Sequence, residues 1–218
     1  PVPDHLDYDL WCGPSAKLPY REKRVHFHWR WSLAYGGGRL MDWIGHNNDI
    51  AHWGLGVEHS GPVRVEAKNF RYPEKGMYDN PVDYEVHSEY EGGYSVVVSN
   101  KYPNGVRWIG ENGWVRVSRG QIDASNKEWI HEEADRGRIK AYNSPDHRKN
   151  FVSGVKTRKQ CICPAEVGHR SVTPGHLSFV SDALKRPLKW DPLNEKVLGD
   201  PEADKLLNAL EYRRGWSL

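Results

Sequence analysis

The chain has little cysteine and no long apolar run. Its three cysteines, Cys12, Cys161 and Cys163, are too few for a disulfide framework. The C-x-C spacing of the last two matches neither a redox pair nor half of a zinc site, so we interpret all three as reduced structural thiols. No apolar run approaches the roughly 20 residues that cross a bilayer, which predicts no membrane span.

The chain also lacks a strong excess of charge of either sign. It carries 31 Lys and Arg against 29 Asp and Glu, a formal net charge of +2 over 218 residues. The basic cluster at residues 156–159 is too short to indicate a nucleic-acid partner. With 38% hydrophobic residues there is material for one core. We therefore expect one domain over residues 1–218, with two small domains as the alternative.

The first residues carry no visible targeting signal. The stretch PVPDHLDYDL lacks the charged start and the apolar centre of a signal peptide, and it begins with Pro1 rather than Met. We expect a processed chain or a fragment. The localisation stays open between the cytoplasm and the periplasm.

Aromatic residues are plentiful but unusual in kind. The chain has 10 Trp and 11 Tyr against only 4 Phe. Trp and Tyr join an apolar body to a polar group, which suits protein interfaces and sugar-stacking sites. For any single Trp, an interface or a half-buried sheet face is the simpler explanation.

The middle of the chain predicts an antiparallel sheet. Strict alternation at residues 82–90 indicates a strand with one buried face, formed by Val82, Tyr84, Val86, Ser88 and Tyr90. Gly92-Gly93 turns this strand into residues 94–99, and Asn104-Gly105 and Asn112-Gly113 are hairpin signals. Short strands joined by tight turns pair antiparallel.

Helices are predicted on either side of these strands. Residues 39–54 form the main helix, with a core-facing stripe of Leu40, Ile44, Asn47 and Ala51. A second helix runs to Thr157 from Ser144 as N-cap and Pro145 at N1, with an apolar stripe of Phe151, Val152 and Val155. Residues 165–185 form a third helix, bent at Pro174-Gly175, and residues 201–210 a fourth. Residues 26–35 fit a strand or a short helix equally well.

These elements together predict an α+β fold, an open and mainly antiparallel β-sheet with helices packed on one face. The other, polar face carries Tyr and Trp side chains. We expect it to serve as a subunit interface in a homo-oligomer.

The segment at residues 36–56, GGGRLMDWIGHNNDIAHWGLG, carries the clearest sign of chemistry. Asp42, His46 and Asp49 fall at i, i+4 and i+7, which places them on one stripe of the predicted helix. An acid beside an imidazole is suited to moving a proton near neutral pH.

Six stretches in order carry a resemblance to a known family. They lie at residues 8–20, 26–31, 35–56, 146–159, 165–172 and 188–207. Together they resemble the C-terminal domain of the glucose–fructose oxidoreductase / inositol dehydrogenase (Gfo/Idh/MocA) family, of the bacterial type with a long C-terminal domain. Members are two-domain NAD(P)-dependent oxidoreductases of sugars and polyols.

The resemblance implies roles for some residues and the absence of others. Asp42 and His46 match the family's D-x-x-x-H catalytic pair, in which the histidine exchanges the proton of a sugar hydroxyl. The acid orients the imidazole or binds a neighbouring hydroxyl. The sequence contains neither a strand leading into G-x-G-x-x-G nor the family's E-K-P motif. NAD or NADP is thus expected to bind mainly to a Rossmann domain missing from this chain, in cis or on a partner chain, with no cofactor for this chain alone.

Further residues are candidates for contact with a sugar or polyol. A sugar site combines hydrogen-bonding groups with an aromatic platform. The candidates are Arg30, Trp31, Tyr35, Trp43, Asn47, Asp49 and His169, and Asp49 serves equally well to hold its helix in place. Asp42 and His46 could share a metal ion with His26 or His28, but no H-E-x-x-H signature appears and we predict no metal.

Two other functions remain open. The acid–histidine pair would also serve a cofactor-free lyase or hydrolase acting on a sugar, with or without a metal ion. A non-catalytic carbohydrate-binding or assembly module is the remaining alternative.

Overall fold

The computed structural model describes residues 1–131, 142–208, 212–213 and 215–216. Its α-helices are α1 Tyr8–Cys12, α2 Gly38–Leu55, α3 His147–Thr157, α4 Ala165–Leu184 and α5 Pro201–Leu207. Short 3₁₀ helices span Glu22–Arg24, His26–Trp31 and Lys127–Ile130. The strands are β1 Arg64–Arg71, β2 Asp83–Glu89, β3 Ser95–Ser99, β4 Val106–Gly110, β5 Gly113–Ser118, β6 Gln121–Ala124, β7 Leu188–Asp191 and β8 Lys196–Val197.

The strands confirm the α+β class but divide into two antiparallel sheets. The main sheet has the order β3-β2-β1-β7-β8, and a small sheet has the order β4-β5-β6. The hairpin predicted at Asn112-Gly113 is confirmed, since Gly110 pairs with Gly113. The one predicted at Asn104-Gly105 is wrong. Because β3 pairs with β2 and β4 with β5, that turn connects the two sheets.

Strand β2 shows the predicted alternation. Tyr84, Val86, Ser88 and Tyr90 are buried, and the residues between them reach the surface. Val82 departs from the pattern and is exposed, because it precedes the strand. One face of the sheet is therefore available to a core.

The core lies between this sheet and the antiparallel pair α2 and α4. Leu40 and Ile44 of α2 and Leu177 of α4 are almost fully buried, and they join a cluster of sheet residues that includes Val65 and Val86. Asn47, predicted to face this core, is only partly buried, and its neighbour Asn48 is buried instead. The helical repeat explains the correction, since Leu40, Ile44 and position 48 are each four residues apart.

Helix α3 differs from its prediction in its N-cap residue and in its packing. Its N-cap is Asp146 rather than Ser144, because the Asp146 carboxylate accepts hydrogen bonds from two backbone amides of the first turn. Its apolar stripe, represented by Phe151, is exposed rather than buried. The helix is held instead through Asn150, whose Oδ1 accepts from the backbone amide of Ile162 at 3.0 Å. An apolar stripe identifies a face suited to burial but not the element that covers it.

The remaining helical predictions hold in outline. Residues His26–Trp31 form a 3₁₀ helix, one of the two structures left open for that stretch. Helix α4 continues through Pro174. The last helix spans Pro201–Leu207 and its C-cap is Asn208, so it ends earlier than predicted, and residues 209 and 210 lie outside the described residues.

Arg213 connects the C-terminal part of the chain with the N-terminal segment. Its guanidinium donates to the carbonyls of Gly13 and Ser15 and to the Asp9 carboxylate, at 2.7 to 2.9 Å. We expect Arg213→Ala to lower the free energy of unfolding, because charge-assisted bonds are lost and two carbonyl acceptors are left without this partner. Urea unfolding measures the loss. The exposed Arg148→Ala variant is the control and should change stability far less, so an equal loss in both would contradict this account.

Candidate functional site

Two glycines let the chain begin helix α2 beside the preceding 3₁₀ helix. A Cβ on Gly36 would lie 2.9 Å from the Cα of Arg30, so only glycine permits this close approach of two backbones. Gly38 has a positive φ of 63°, and a Cβ there would meet the Asn80 side chain at 2.5 Å. The glycine run thus positions Arg30 against the first turn of α2.

Arg30 is held in place by aromatic rings and faces Asp42. Its guanidinium carbon lies 4.0 Å from the ring centroid of Phe27 and 4.9 Å from that of Trp31. Its Nη1 lies 3.8 Å from Oδ1 of Asp42. Both side chains remain partly exposed, which makes this a modest ion pair that orients the carboxylate more than it stabilises the fold.

His46 stands on the same exposed face of α2, one turn after Asp42. Its ring contacts Trp43 edge to face, with centroids 5.8 Å apart. Within the described residues, no hydrogen bond joins His46 to Asp42. The imidazole therefore remains accessible to an incoming hydroxyl group, while Asp42 is oriented by Arg30.

Asp49 completes the stripe and is the most buried of its three members. The hydroxyl of Ser171 on α4 lies 2.8 Å from its Oδ1 and also 2.8 Å from the carbonyl of Val167. Burial raises the pKa of Asp49 above the usual range, and the charge of Glu58 raises it further. The hydrogen bond from Ser171 and the proximity of His46 act in the opposite direction.

The raised pKa predicts that Asp49 destabilises the fold at neutral pH. An acid whose folded pKa exceeds its unfolded pKa loses stability as the pH rises through that interval, and the full cost remains above it. Asp49→Asn should therefore raise the free energy of unfolding at pH 7. Urea unfolding at pH 7 measures it. In the control Asp42→Asn, the free energy of unfolding should not rise. A loss of stability in the Asp49→Asn variant would contradict the prediction.

A buried polar network lies on the opposite, core-facing side of α2. Nε2 of the fully buried His52 is 2.8 Å from the Tyr90 hydroxyl and 3.1 Å from Nδ2 of Asn48. Nδ2 of Asn48 also donates to the carbonyl of Ser171 at 2.9 Å. The network joins α2, the end of β2 and α4, and thereby fixes the helix that carries the exposed acid–histidine stripe.

The small sheet approaches the exposed face of α2 from the other side. Asn47 donates through Nδ2 to Oδ1 of Asn104 at 3.1 Å, and the guanidinium carbon of Arg119 lies 5.5 Å from the ring centroid of Trp43. Trp108 packs beside Gly54, where a Cβ would come within 2.4 Å of its ring. The small sheet is thereby anchored along α2 next to His46.

Three other predicted substrate contacts have partners within the chain. The Tyr35 hydroxyl donates to the carbonyl of Ala16 at 2.8 Å, so it supports the N-terminal segment. Nε2 of His169 lies 2.8 Å from Oε1 of Glu195, in the turn between β7 and β8. Trp31 stacks on Arg30. Of the predicted set, Arg30, Trp43, Asn47 and Asp49 are the residues that the contacts of α2 bring together with Asp42 and His46.

Sequence reasoning missed several residues that shape this region. Asn48 and His52 continue the spacing of Leu40 and Ile44, so a strict count of four would have placed them on the core side. Ser171, Asn104 and Arg119 are distant in sequence from α2, and no local pattern relates them to it.

Metal and membrane features are not apparent in the described parts of the chain. The three cysteines are free. Among residues 1–131, 142–208, 212–213 and 215–216, no three His, Cys, Asp or Glu side chains are grouped to hold a metal ion. Within the same residues, no helix combines the length and apolar character needed to cross a bilayer.

The fold and the site define an α+β domain that presents acid and imidazole side chains from a long surface helix. The family described as "Oxidoreductase family, C-terminal alpha/beta domain", of the Gfo/Idh/MocA group, matches residues 1–218, and the chain belongs to that family. No curated protein matches the chain.

Among solved structures, the chain resembles the crystal structure of an NAD-binding protein from Listeria innocua. The identity is 16% and the TM-score 0.49. The likeness covers 76% of this chain and 51% of that protein, so the chain spans about half of its length.

Proposed function

We propose that this chain is the substrate-binding and catalytic part of an NAD(P)-dependent oxidoreductase of sugars or polyols. Membership of an oxidoreductase family supports the class of reaction. The observation that carries the finer proposal is the exposed stripe of α2, where His46 is accessible between Asp42 and Asp49. Oxidising an alcohol to a ketone requires a base that works near pH 7, and an imidazole is suited to this.

In this proposal His46 accepts the proton of the substrate hydroxyl as the carbon beneath it is oxidised. Asp42 binds a neighbouring hydroxyl, because its carboxylate is oriented towards Arg30 and makes no hydrogen bond to His46 in the described structure. Trp43 supplies an aromatic surface beside the imidazole, as sugar sites commonly require. Arg30 keeps Asp42 in position before substrate arrives.

The nicotinamide cofactor would be held by a domain outside this sequence. A dinucleotide site needs a glycine turn between a strand and a helix, open to the pyrophosphate. Here the glycine turn follows a 3₁₀ helix, and the Asn80 side chain fills the space beside Gly38. These residues do not fit the cofactor. When bound elsewhere, NAD(P)⁺ accepts the hydride. The residues of this chain only bind the substrate and accept its proton.

Dinucleotide reduction tests the proposal directly. The complete protein, with its predicted Rossmann domain, is incubated with a panel of sugars and polyols and either NAD⁺ or NADP⁺, and formation of reduced nicotinamide is followed. We expect turnover with the complete protein and none with the 218-residue chain alone. Reaction of a sugar without either dinucleotide would favour a lyase or hydrolase instead.

A further inference from the structure

We propose that the site accepts a sugar or polyol that carries an acidic group, a carboxylate or a phosphate, and that Arg119 binds it. This inference rests on the proposed function, since it names the class of substrate for the same site. Its basis is the position of Arg119 of the small sheet, beside the Trp43 ring that contacts His46.

Arg119 reaches the site through Trp43. It lies in the turn between β5 and β6, and its guanidinium carbon is 5.5 Å from the centroid of the Trp43 ring. The same ring contacts His46, with centroids 5.8 Å apart. A cation–π contact favours this placement of a flexible side chain.

Arg116 lies on the face of the small sheet away from α2, because it pairs with Arg107 across β4 and β5, whereas Trp108, which packs on α2, pairs with Val115. Its Nη2 donates to the backbone carbonyl of Asn104 at 2.8 Å, and Oδ1 of Asn104 accepts from Nδ2 of Asn47 at 3.1 Å. Asn47 follows His46 directly in α2. Of these two arginines, Arg119 is therefore the one that the described contacts place beside the imidazole.

Arg119 differs from Arg30 and Arg116 in its charged neighbours. Arg30 has Asp42 at 3.8 Å, and the charge of Arg116 helps to lower the pKa of Asp123, whereas no salt bridge joins Arg119 to any described acid. Asp123 pairs with Arg116 across β5 and β6, but its carboxylate is bonded to Lys127.

The charges that face this stretch from α2 itself are acidic. Arg30 offsets Asp42, and Asp49 is turned towards Ser171. The guanidinium group of Arg119 thus remains available to a ligand. A guanidinium binds carboxylate or phosphate through two parallel hydrogen bonds, and such bonds are among the stronger polar contacts in proteins.

Ligand titration of the complete protein tests the inference without relying on turnover. Glucose, glucuronate and glucose 6-phosphate are titrated separately, and binding is followed by the NMR signals of the histidine ring protons and by calorimetry. We expect at least one acidic sugar to bind about tenfold more tightly than glucose, the scale of one charge-assisted hydrogen bond. Which acidic sugar binds more tightly distinguishes a carboxylate from a phosphate substrate.

Arginine variants test which side chain binds the acidic group of the sugar. Arg119→Gln should remove most of the preference for the acidic sugar, and Arg119→Lys should retain part of it. Arg107→Gln is the matched control, because Arg107 also stacks on a tryptophan, Trp114, at 4.5 Å. It precedes Trp108, which packs on α2, so strand alternation directs Arg107 to the opposite face of the small sheet. Circular dichroism verifies that each variant is folded.

Equal binding of glucose and both acidic sugars, or equal effects of Arg119→Gln and Arg107→Gln, would overturn the inference. Failure of the proposed function gives a different result. In that case the complete protein reduces no dinucleotide with any sugar, while selective binding that depends on Arg119 persists.

Discussion

Replacing His46 by alanine is expected to lower the turnover of the complete oxidoreductase by about 10²-fold or more, the scale of a lost general base. The affinity for NAD(P) should remain nearly unchanged, because in the proposed function the dinucleotide binds to another domain. The prediction follows from the exposed position of His46 between the two acids of α2. No other described imidazole lies on this stripe of the helix.

A matched variant separates chemistry from a general effect of losing a histidine. His59 is exposed in the segment after α2 and makes no interaction with the described residues, so His59→Ala should leave turnover unchanged. Steady-state kinetics with saturating dinucleotide measure both variants, and dinucleotide titration measures affinity. Unaltered turnover in His46→Ala would show that His46 is not the catalytic base. Loss of dinucleotide affinity together with turnover would indicate a structural role.

The second large effect concerns the stability of the fold below neutral pH. His52 is fully buried, and burial lowers its pKa to about 4 from an ordinary value of 6.5. A histidine with a depressed pKa contributes full stability above its unfolded pKa, and loses it as the pH falls towards the folded pKa. We therefore expect about 3 kcal/mol of stability to disappear between pH 6.5 and pH 4.

His176 contributes in the same interval, because burial also lowers its pKa below the ordinary value of 6.5. Arginine hydrogen bonds lower the pKa values of Asp9 and Asp200 to about 2, so their contributions are lost mainly below about pH 4. Asp49 has a raised pKa and acts with the opposite sign. The part of this fall that is lost in a His52 variant therefore reports on the His52 imidazole.

Urea unfolding at several pH values from 7 to 4 measures this dependence. His52→Gln keeps a hydrogen-bonding group beside Tyr90 but cannot be protonated, so its stability should change much less over that range. The exposed His59→Gln variant should behave like the original protein. An undiminished pH dependence in His52→Gln would show that another group is responsible.

Local patterns in the sequence predicted much of the secondary structure. The alternation of β2 and the spacing of Leu40 and Ile44 were both confirmed, because each reflects one face of a single element against the core. The Ser144 cap was displaced to Asp146, since neighbouring polar residues compete for the same helix end. The hairpin at Asn104-Gly105 failed because a turn signal does not specify which strands pair.

The candidate site was predictable only in part. Asp42, His46 and Asp49 share one helix, so their spacing alone placed them on one stripe, and their roles remain a prediction. Tyr35 and His169, predicted on sequence grounds to contact substrate, have partners elsewhere in the chain. Their positions depend on how distant segments meet.

The sequence by itself determined the α+β class, the long helix and the acid–histidine stripe, because each follows from periodicity within one continuous segment. The division into two sheets, the orientation of Asp42 by Arg30 and the approach of Arg119 to Trp43 were decided only by the tertiary structure. Such contacts join residues far apart in the chain. Which of them form depends on the packing of whole elements, since a local pattern describes the face of an element but not its partner.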